Sequence, residues 1–517
     1  MRSISAIPVQ SGLVPVSGRG RSLPDRWFLL VLVLVSTALR FPGLLIPPTS
    51  DEAGFLLVAR RWAPSADNMY GTYWVDRPPL LIAAYRWSDA FLGYYGPRVL
   101  AAILAAVLVV AIHQLARRLT GAGPARVAAL IAAALLANPD LSAWTAKGEV
   151  LGTPFVVLSC LAAVSALQDE SVRRRGLLAA AAGLTAVLAA GFKQNLLGGL
   201  VFGAVLMAGA FLTGRLTRRE AAHLAGRAVL GASVPVLVIA LWIVVTPAQF
   251  DSAWYQIFGF RADASRVLAV SDSNAPGERA AGLWLQFARS GMAVLAGVAL
   301  VTCRSWLRGR GLVGLALIAM TAFDVIGIVV GANYWHAYLI PLIPDLALVG
   351  ALVCAGRRWQ GNLVRVTAAA VALSSAFALV GLTRDQLDEP GVPSAWDTGL
   401  AIAAVARPGD TIVSLYGSPG VIDASTLDSP YRHLWSLPMR TLDPELAELR
   451  DLLAGPDAPT WVVVVLPLDS WHLDQDQRVS SVLSRRYELV NQPCGPAIWL
   501  LRPSGDRALP RLDCGSG

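Results

Sequence analysis

Two acidic and basic groupings stand in the first polar segment of the chain. Asp51 and Glu52 follow Pro47-Pro48-Thr49-Ser50, and Asp76-Arg77-Pro78-Pro79-Leu80-Leu81 comes further along the same segment. A carboxylate in such a place is the residue type that takes a proton from an attacking hydroxyl. An arginine is the type that grips a phosphate through two parallel donors. Each grouping also has a plainer structural alternative. Ser50 or Asp51 suits a helix cap, opening a helix through Ala53, Phe55, Leu56, Val58 and Ala59 to Trp62 that would lie along a membrane surface. The diproline suits a helix start with charged flanks. Lysine adds a further signal: only Lys147 and Lys193 occur among the 43 basic residues, both at the ends of apolar stretches, where snorkelling is the alternative.

These residues must be held by membrane helices. The chain has 517 residues, 55% hydrophobic and 15% charged, with a mean hydropathy of +0.54. That balance excludes a cytosolic globular enzyme, and the 16 Trp, 14 Phe and 11 Tyr exclude a disordered chain. Apolar stretches long enough to cross a bilayer fall at 27–47, 97–116, 124–138, 150–167, 176–191, 193–213, 227–245, 283–302, 311–331, 335–355 and 364–382, which predicts about eleven transmembrane helices. Residues 1–26 are Ser, Gly, Pro and Arg rich, a cytoplasmic tail, and the first stretch carries no cleavage motif, so it stays as a helix.

Charge sets the orientation. Residues 1–382 hold 32 Lys+Arg against 17 Asp+Glu, while 383–517 hold 11 against 18. Positive charge interleaved with apolar segments points to membrane orientation rather than nucleic acid. With the N-terminus cytoplasmic, Arg117/Arg118, Arg173/Arg174/Arg175, Arg215/Arg218/Arg219, Arg304/Arg308/Arg310 and Arg357/Arg358 all fall in inner loops. The acids gather outside, and an odd number of spans exports the C-terminus. Residues 383–517 alternate helical patterns with β-rich runs at 411–416, 461–466 and 497–501, which predicts a small extracytoplasmic α/β domain. Its Asp423, His433 and His472 read as surface residues. Cys494 and Cys514 lie in that exported tail and would be free to pair, whereas Cys160, Cys303 and Cys354 belong to apolar segments.

Two external loops are long enough to do more than connect. The first spans 48–96. The second, 247–283, holds Trp254, Tyr255, Phe258, Phe260, Arg261 and Arg266 before a Ser, Asp, Asn, Pro and Gly run, which predicts a mobile lid. Its aromatics would stack on sugar faces or form an interfacial belt.

The Asp-Glu pair after the first transmembrane stretch, followed by the acid-Arg-Pro-Pro-Leu segment, resembles the GT-C glycosyltransferases. More narrowly it resembles the bacterial branch related to protein O-mannosyltransferases and the lipid A aminoarabinose transferase. Gly191-Phe192-Lys193-Gln194, Trp254-Tyr255-Gln256-Ile257-Phe258-Gly259-Phe260 and Asn333-Tyr334-Trp335-His336-Ala337-Tyr338-Leu339-Ile340-Pro341 fit the same pattern, as does the acidic tail domain. Arg77 stands where some relatives have lysine. The resemblance implies transfer of a monosaccharide from a polyprenyl phosphate to an acceptor hydroxyl on the external face, with inversion. It implies Asp51, with Glu52 beside it, as the catalytic acid pair, Asp51 being the base. Arg77, Lys147, Lys193 and more weakly His336 would bind the donor phosphate, which leaves already ionised and needs positive charge rather than a proton. Asp76, Glu149, Gln194, Trp254, Tyr255 and Arg261 would support donor, acceptor or an optional divalent cation (Mg or Mn), with Asp76 and Glu149 as its ligands. The membrane lipid donor and a cell-envelope acceptor are the implied partners, at the plasma membrane.

Two other classes suit parts of the sequence. Many helices with intramembrane Asp324 and Asp345 suit a transporter or flippase, though the charges gather in loops rather than at the midplane. An exported acidic domain also suits a noncatalytic envelope scaffold.

Overall fold

The computed structural model describes residues 23–270, 275–388, 394–491, 495–503 and 506–512. Cys494 and Cys514 lie outside the described residues, and so does their pairing. The helical part begins with α1 (Leu23–Ala38), α2 (Ser50–Arg60), α3 (Pro79–Leu92), α4 (Gly96–Thr120), α5 (Ala122–Ala137), α6 (Gly148–Gln168), α7 (Val172–Phe192), α8 (Gly198–Leu212) and α9 (Arg218–Val245). It continues through α10 (Phe250–Trp254), α11 (Phe260–Val270), α12 (Ala275–Arg289), α13 (Met292–Val301), α14 (Cys303–Gly309), α15 (Gly311–Gly331), α16 (Leu342–Cys354) and α17 (Arg358–Asp388).

Among the described residues eight helices are long and apolar enough to cross a membrane, counting α3–α4 as one, or nine if α12 and α13, bent by 71°, form a single span. The shorter apolar helices α5 and α8 account for the other two stretches read from the sequence. The long helices differ in how they are placed. α6 and α16 are largely buried, whereas α1 and α9 turn apolar residues such as Leu34, Leu237 and Val244 outward, as a lipid-facing helix must. α7 and α9 approach to backbone contact through glycine. A Cβ on Gly183 would lie 1.9 Å from the Ala228 carbonyl oxygen, and one on Gly231 would lie 1.8 Å from that of Ala180. Small residues at such crossings replace the hydrophobic drive that lipid cannot supply.

The C-terminal part opens with α18 (Ala395–Ala403), whose Ser394 and Asp397 form a capping box. A four-stranded sheet follows, β1 (Ile412–Leu415), β2 (Trp461–Val464), β3 (Tyr487–Asn491) and β4 (Ala497–Leu501), in the order β1-β2-β4-β3. The β1–β2 pair is parallel and the others antiparallel. α19 (Pro419–Ser425), α20 (Ser436–Leu442), α21 (Ala447–Ala454) and α22 (Arg478–Arg486) complete it. Three strands match the β-rich runs in the sequence. β3 was missed there, because Glu488 interrupts its short apolar pattern.

This sheet domain sits on the first polar segment. Arg60 binds Asp423 at 2.7 Å and Asp89 at 2.7 Å, and Arg61 pairs with Asp428. Trp74 N–H donates to the Arg432 carbonyl at 3.0 Å, and Ser50 Oγ donates to that of Gly417 at 3.2 Å. Gly54 meets the ring of Trp435, which comes within 2.2 Å of where a Cβ would stand. α2 is therefore not a surface-lying helix: Glu52 through Ala59 are all buried, held between α3 and the C-terminal part. The 247–283 segment differs from the loop read in the sequence as well. It folds as α10, a π-helical turn over Tyr255–Gly259, and α11, before α12 begins.

Candidate active site

A cavity of about 450 Å3 lies between α2, the Asp76-Arg77 turn, the ends of α6 and α7, the start of α12 and the C-terminal domain. Its charged lining is Asp51, Asp76 and Glu149 against Arg77, Lys147, Lys193, Arg261, Arg279 and Arg440. Six cations face three carboxylates, and both lysines of the chain are among them.

Local structure explains how each arrives. Thr49, rather than Ser50 or Asp51, caps α2: its hydroxyl accepts from Glu52 N–H while the Glu52 carboxylate receives the Thr49 N–H, a reciprocal box. Asp51 is thereby fixed in the first turn, where the helix dipole favours negative charge. Lys147 immediately precedes α6, and Lys193 immediately follows α7. Because α6 and α7 pack side by side as consecutive helices joined by a short turn, the start of one and the end of the other share a level. The two lysines meet for that reason.

The carboxylates are each matched by a cation. Asp51 Oδ2 is 3.4 Å from Lys147 Nζ. Burial raises the Asp51 pKa, but Lys147 and Arg77 outweigh it and hold the carboxyl below the usual range, so Asp51 is the ionised form that a base requires. Asp76 receives Arg77 Nη1 at 2.6 Å on one oxygen and Arg261 on the other. Glu149 pairs with Lys193, whose Nζ also lies 4.0 Å from the centroid of the Tyr338 ring. Burial, partly countered by Glu149, brings the Lys193 pKa down to about 8. The Arg77 guanidinium lies 5.6 Å from the Phe55 ring centroid.

The remaining sequence candidates stand outside the cavity lining. Glu52 is 3% exposed and bound on both oxygens by Arg98, at 2.9 and 2.7 Å, with Ala146 N–H donating at 2.9 Å. It holds the start of α2 in place. Gln194 spans two backbone carbonyls, Asp76 at 3.0 Å and Ile257 at 2.8 Å, and so ties the Asp76-Arg77 turn to the π-turn. Trp254 is exposed and packs on Phe250 and Phe258. Tyr255 donates to Asp263 at 2.9 Å. His336 starts a 3-10 turn that packs against Pro139–Leu141. In the same segments the cavity takes Phe260, Arg261, Trp335 and Tyr338 instead.

Asp76 and Glu149, the carboxylates expected to ligate a divalent cation, are paired here with arginine or lysine, and no group of three His, Cys, Asp or Glu converges among the described residues. Sequence reading missed Arg98, Arg279, Arg440 and the roof aromatics Tyr416, Trp435 and Trp471. Only Arg98 carried a signal, an arginine in the first turn of a helix that then runs apolar as far as His113.

Residues 93–242 match the family model described as dolichyl-phosphate-mannose-protein mannosyltransferase. No curated protein matches significantly. Among solved structures, ArnT from Cupriavidus metallidurans in the apo state is similar at 14% identity with a TM-score of 0.63, covering 92% of this chain and 98% of that one. The same protein bound to undecaprenyl phosphate gives 14% and 0.61, covering 93% and 98%. The apo oligosaccharyltransferase of Archaeoglobus fulgidus gives 13% and 0.53, covering 94% of this chain and 75% of that one. This chain is a multi-pass membrane protein with the GT-C fold and a small C-terminal α/β domain.

Proposed function

We propose that the protein is a membrane glycosyltransferase that moves one monosaccharide from a polyprenyl-phosphate carrier to an acceptor hydroxyl, with inversion, on the extracytoplasmic face. The observation that carries the reading is the cationic cavity with an ionised Asp51 on its wall. A transferred sugar arrives on a phosphate and departs from it, so such a site needs one ionised carboxylate facing the cavity and a surplus of positive charge. The similarity to ArnT bound to undecaprenyl phosphate supports a lipid-linked donor.

In this reading Asp51 accepts the proton of the acceptor hydroxyl as its oxygen attacks the anomeric carbon. The bond from that carbon to the phosphate oxygen breaks, and its electron pair leaves on the phosphate. Arg77, Lys193 and Arg261 neutralise the departing group, while Lys147 keeps Asp51 ionised and Glu52 positions its helix. Asp76 and Glu149 orient these cations. The N-terminus is cytoplasmic, residues 27–382 form the catalytic membrane domain, and residues 383–517 roof the site from outside. Membranes containing the protein should consume one member of a panel of radiolabelled polyprenyl-phosphate sugars and move its label to envelope glycan, lipid or protein. Consumption of none, with native acceptors supplied, would refute the assignment.

Lys193 gives the site an alkaline limit. A lysine with a pKa near 8 is charged below that pH and loses its charge as pH rises through it. The donor KM should therefore climb above about pH 8, and Lys193→Arg, which stays charged, should remove the climb. An unchanged alkaline limb in that variant would show that another group sets it.

A further inference from the structure

Arg279 and Arg440 are the two cavity-lining cations that pair with none of its three lining carboxylates. Asp51, Asp76 and Glu149 are taken by Lys147, by Arg77 with Arg261, and by Lys193. Neither Arg279 nor Arg440 has a carboxylate partner among the described residues: Arg279 donates to the Asn333 carbonyl at 2.8 Å, and both guanidiniums lie on tryptophan faces. Arg279 is 5.2 Å from the Trp335 ring centroid, and Arg440 is 5.0 Å from that of Trp471. They come from different parts of the chain, Arg279 from the N-terminal half of α12 and Arg440 from the last turn of the C-terminal helix α20. They nonetheless sense one another, since burial and the Arg279 charge both lower the Arg440 pKa. Two like charges lining one cavity, with no carboxylate partner among the described residues, favour an anion that joins them.

Aromatic side chains surround the two arginines. Trp471 and Tyr416 meet edge to face at 5.8 Å and both adopt left-handed backbone, at φ 57° and 68°. Such conformations are costly for bulky residues and persist where surrounding structure enforces them. Trp335 links this corner to the proposed base, because Lys147, the partner of Asp51, lies 5.9 Å from the ring whose centroid is 5.2 Å from Arg279.

We infer that Arg279 and Arg440, with Trp335 and Trp471, form a second anion subsite that takes an acidic group on the acceptor, next to the sugar whose hydroxyl reaches Asp51. The acceptor is thus an anionic glycan or glycolipid, its acid a phosphate or a carboxylate. The arginines supply paired donors for that acid, and the indoles supply faces for a sugar ring. This inference rests on the transferase reading for its chemistry, but the subsite is testable apart from it.

Calorimetric titration of the intact protein in nanodiscs with inorganic pyrophosphate tests the subsite without turnover. Two anion sites are expected in the wild type, one in Arg279→Gln/Arg440→Gln and one in Arg77→Gln. A single wild-type site that survives in the double variant would overturn the subsite. With the donor in hand, transfer is measured to the membrane glycan and lipid fraction untreated, dephosphorylated with aqueous hydrogen fluoride, or carboxyl-reduced with carbodiimide and borohydride. The double variant should raise the half-saturating acceptor concentration about tenfold or more with the donor KM unchanged. One of the two chemical treatments should abolish wild-type transfer and so name the acid. Transfer that survives both treatments, or a double variant with wild-type acceptor saturation, would overturn the inference. Two anion sites together with no transfer from any donor would leave the subsite standing and refute the transferase reading instead.

Discussion

Asp51→Asn should lower sugar transfer by roughly 10²- to 10⁴-fold, the range that a positioned general base contributes, while the protein stays folded. The substitution is nearly isosteric and removes the negative charge of Asp51 and with it the ability to accept a proton. Among the described residues the Asp51 carboxylate pairs with Lys147, at 3.4 Å within the cavity, rather than with a group that holds the fold. Helix α2 is secured instead by Thr49, Glu52 and Arg98. The variant should therefore keep its thermal transition and its affinity for the lipid donor. Turnover measured against binding separates the two effects. A variant that transfers at the wild-type rate would remove Asp51 from the mechanism, and one that no longer binds donor would give it a phosphate-site role.

Arg98→Met should cost about 3–5 kcal/mol of stability, as loss of one partner of a buried ion pair does. Arg98 and Glu52 are each 4% exposed in their side chains and bound through two contacts at 2.9 and 2.7 Å. Arg98 also donates to the carbonyls of Gly43, Ile46 and Pro47, the whole link between the first span and α2. Methionine fills the volume but leaves Glu52 charged and unmatched, and leaves three carbonyls without their donor. Glu52→Gln should be milder, because an amide oxygen still serves Thr49 N–H. Thermal unfolding in detergent orders the three proteins, and equal stability of Arg98→Met and wild type would contradict the role assigned to this pair.

The membrane architecture was legible because each apolar stretch is long and composition alone commits it to a helix. All eleven stretches are helical, including the two short ones. What escaped were the elements without that signature. The 247–283 segment mixes aromatics with Ser, Asp and Asn and looked like a loop, yet it forms α10, α11 and the π-turn that brings Arg261 onto Asp76. α2 looked amphipathic enough for a membrane surface, but its buried face is met by Trp435 from the far end of the chain, a contact no local pattern encodes. The same limit governs the site. Asp51, Arg77, Lys147 and Lys193 were visible as unusual types at helix ends, and they share one cavity. Glu52 carried the same local signal as Asp51. Only Arg98, 46 positions away, turns it from the cavity into a brace. Arg279 and Arg440 had no marker at all, since their meaning comes from the carboxylates that other cations have already taken.

The most direct test uses purified protein in liposomes with the donor that it consumes, measuring released polyprenyl phosphate and the anomeric configuration of the product together. One polyprenyl phosphate should be released per sugar transferred, with the configuration inverted relative to the donor. Movement of intact lipid-linked sugar across the bilayer, with neither release nor a new glycosidic bond, would contradict it and make the protein a transporter.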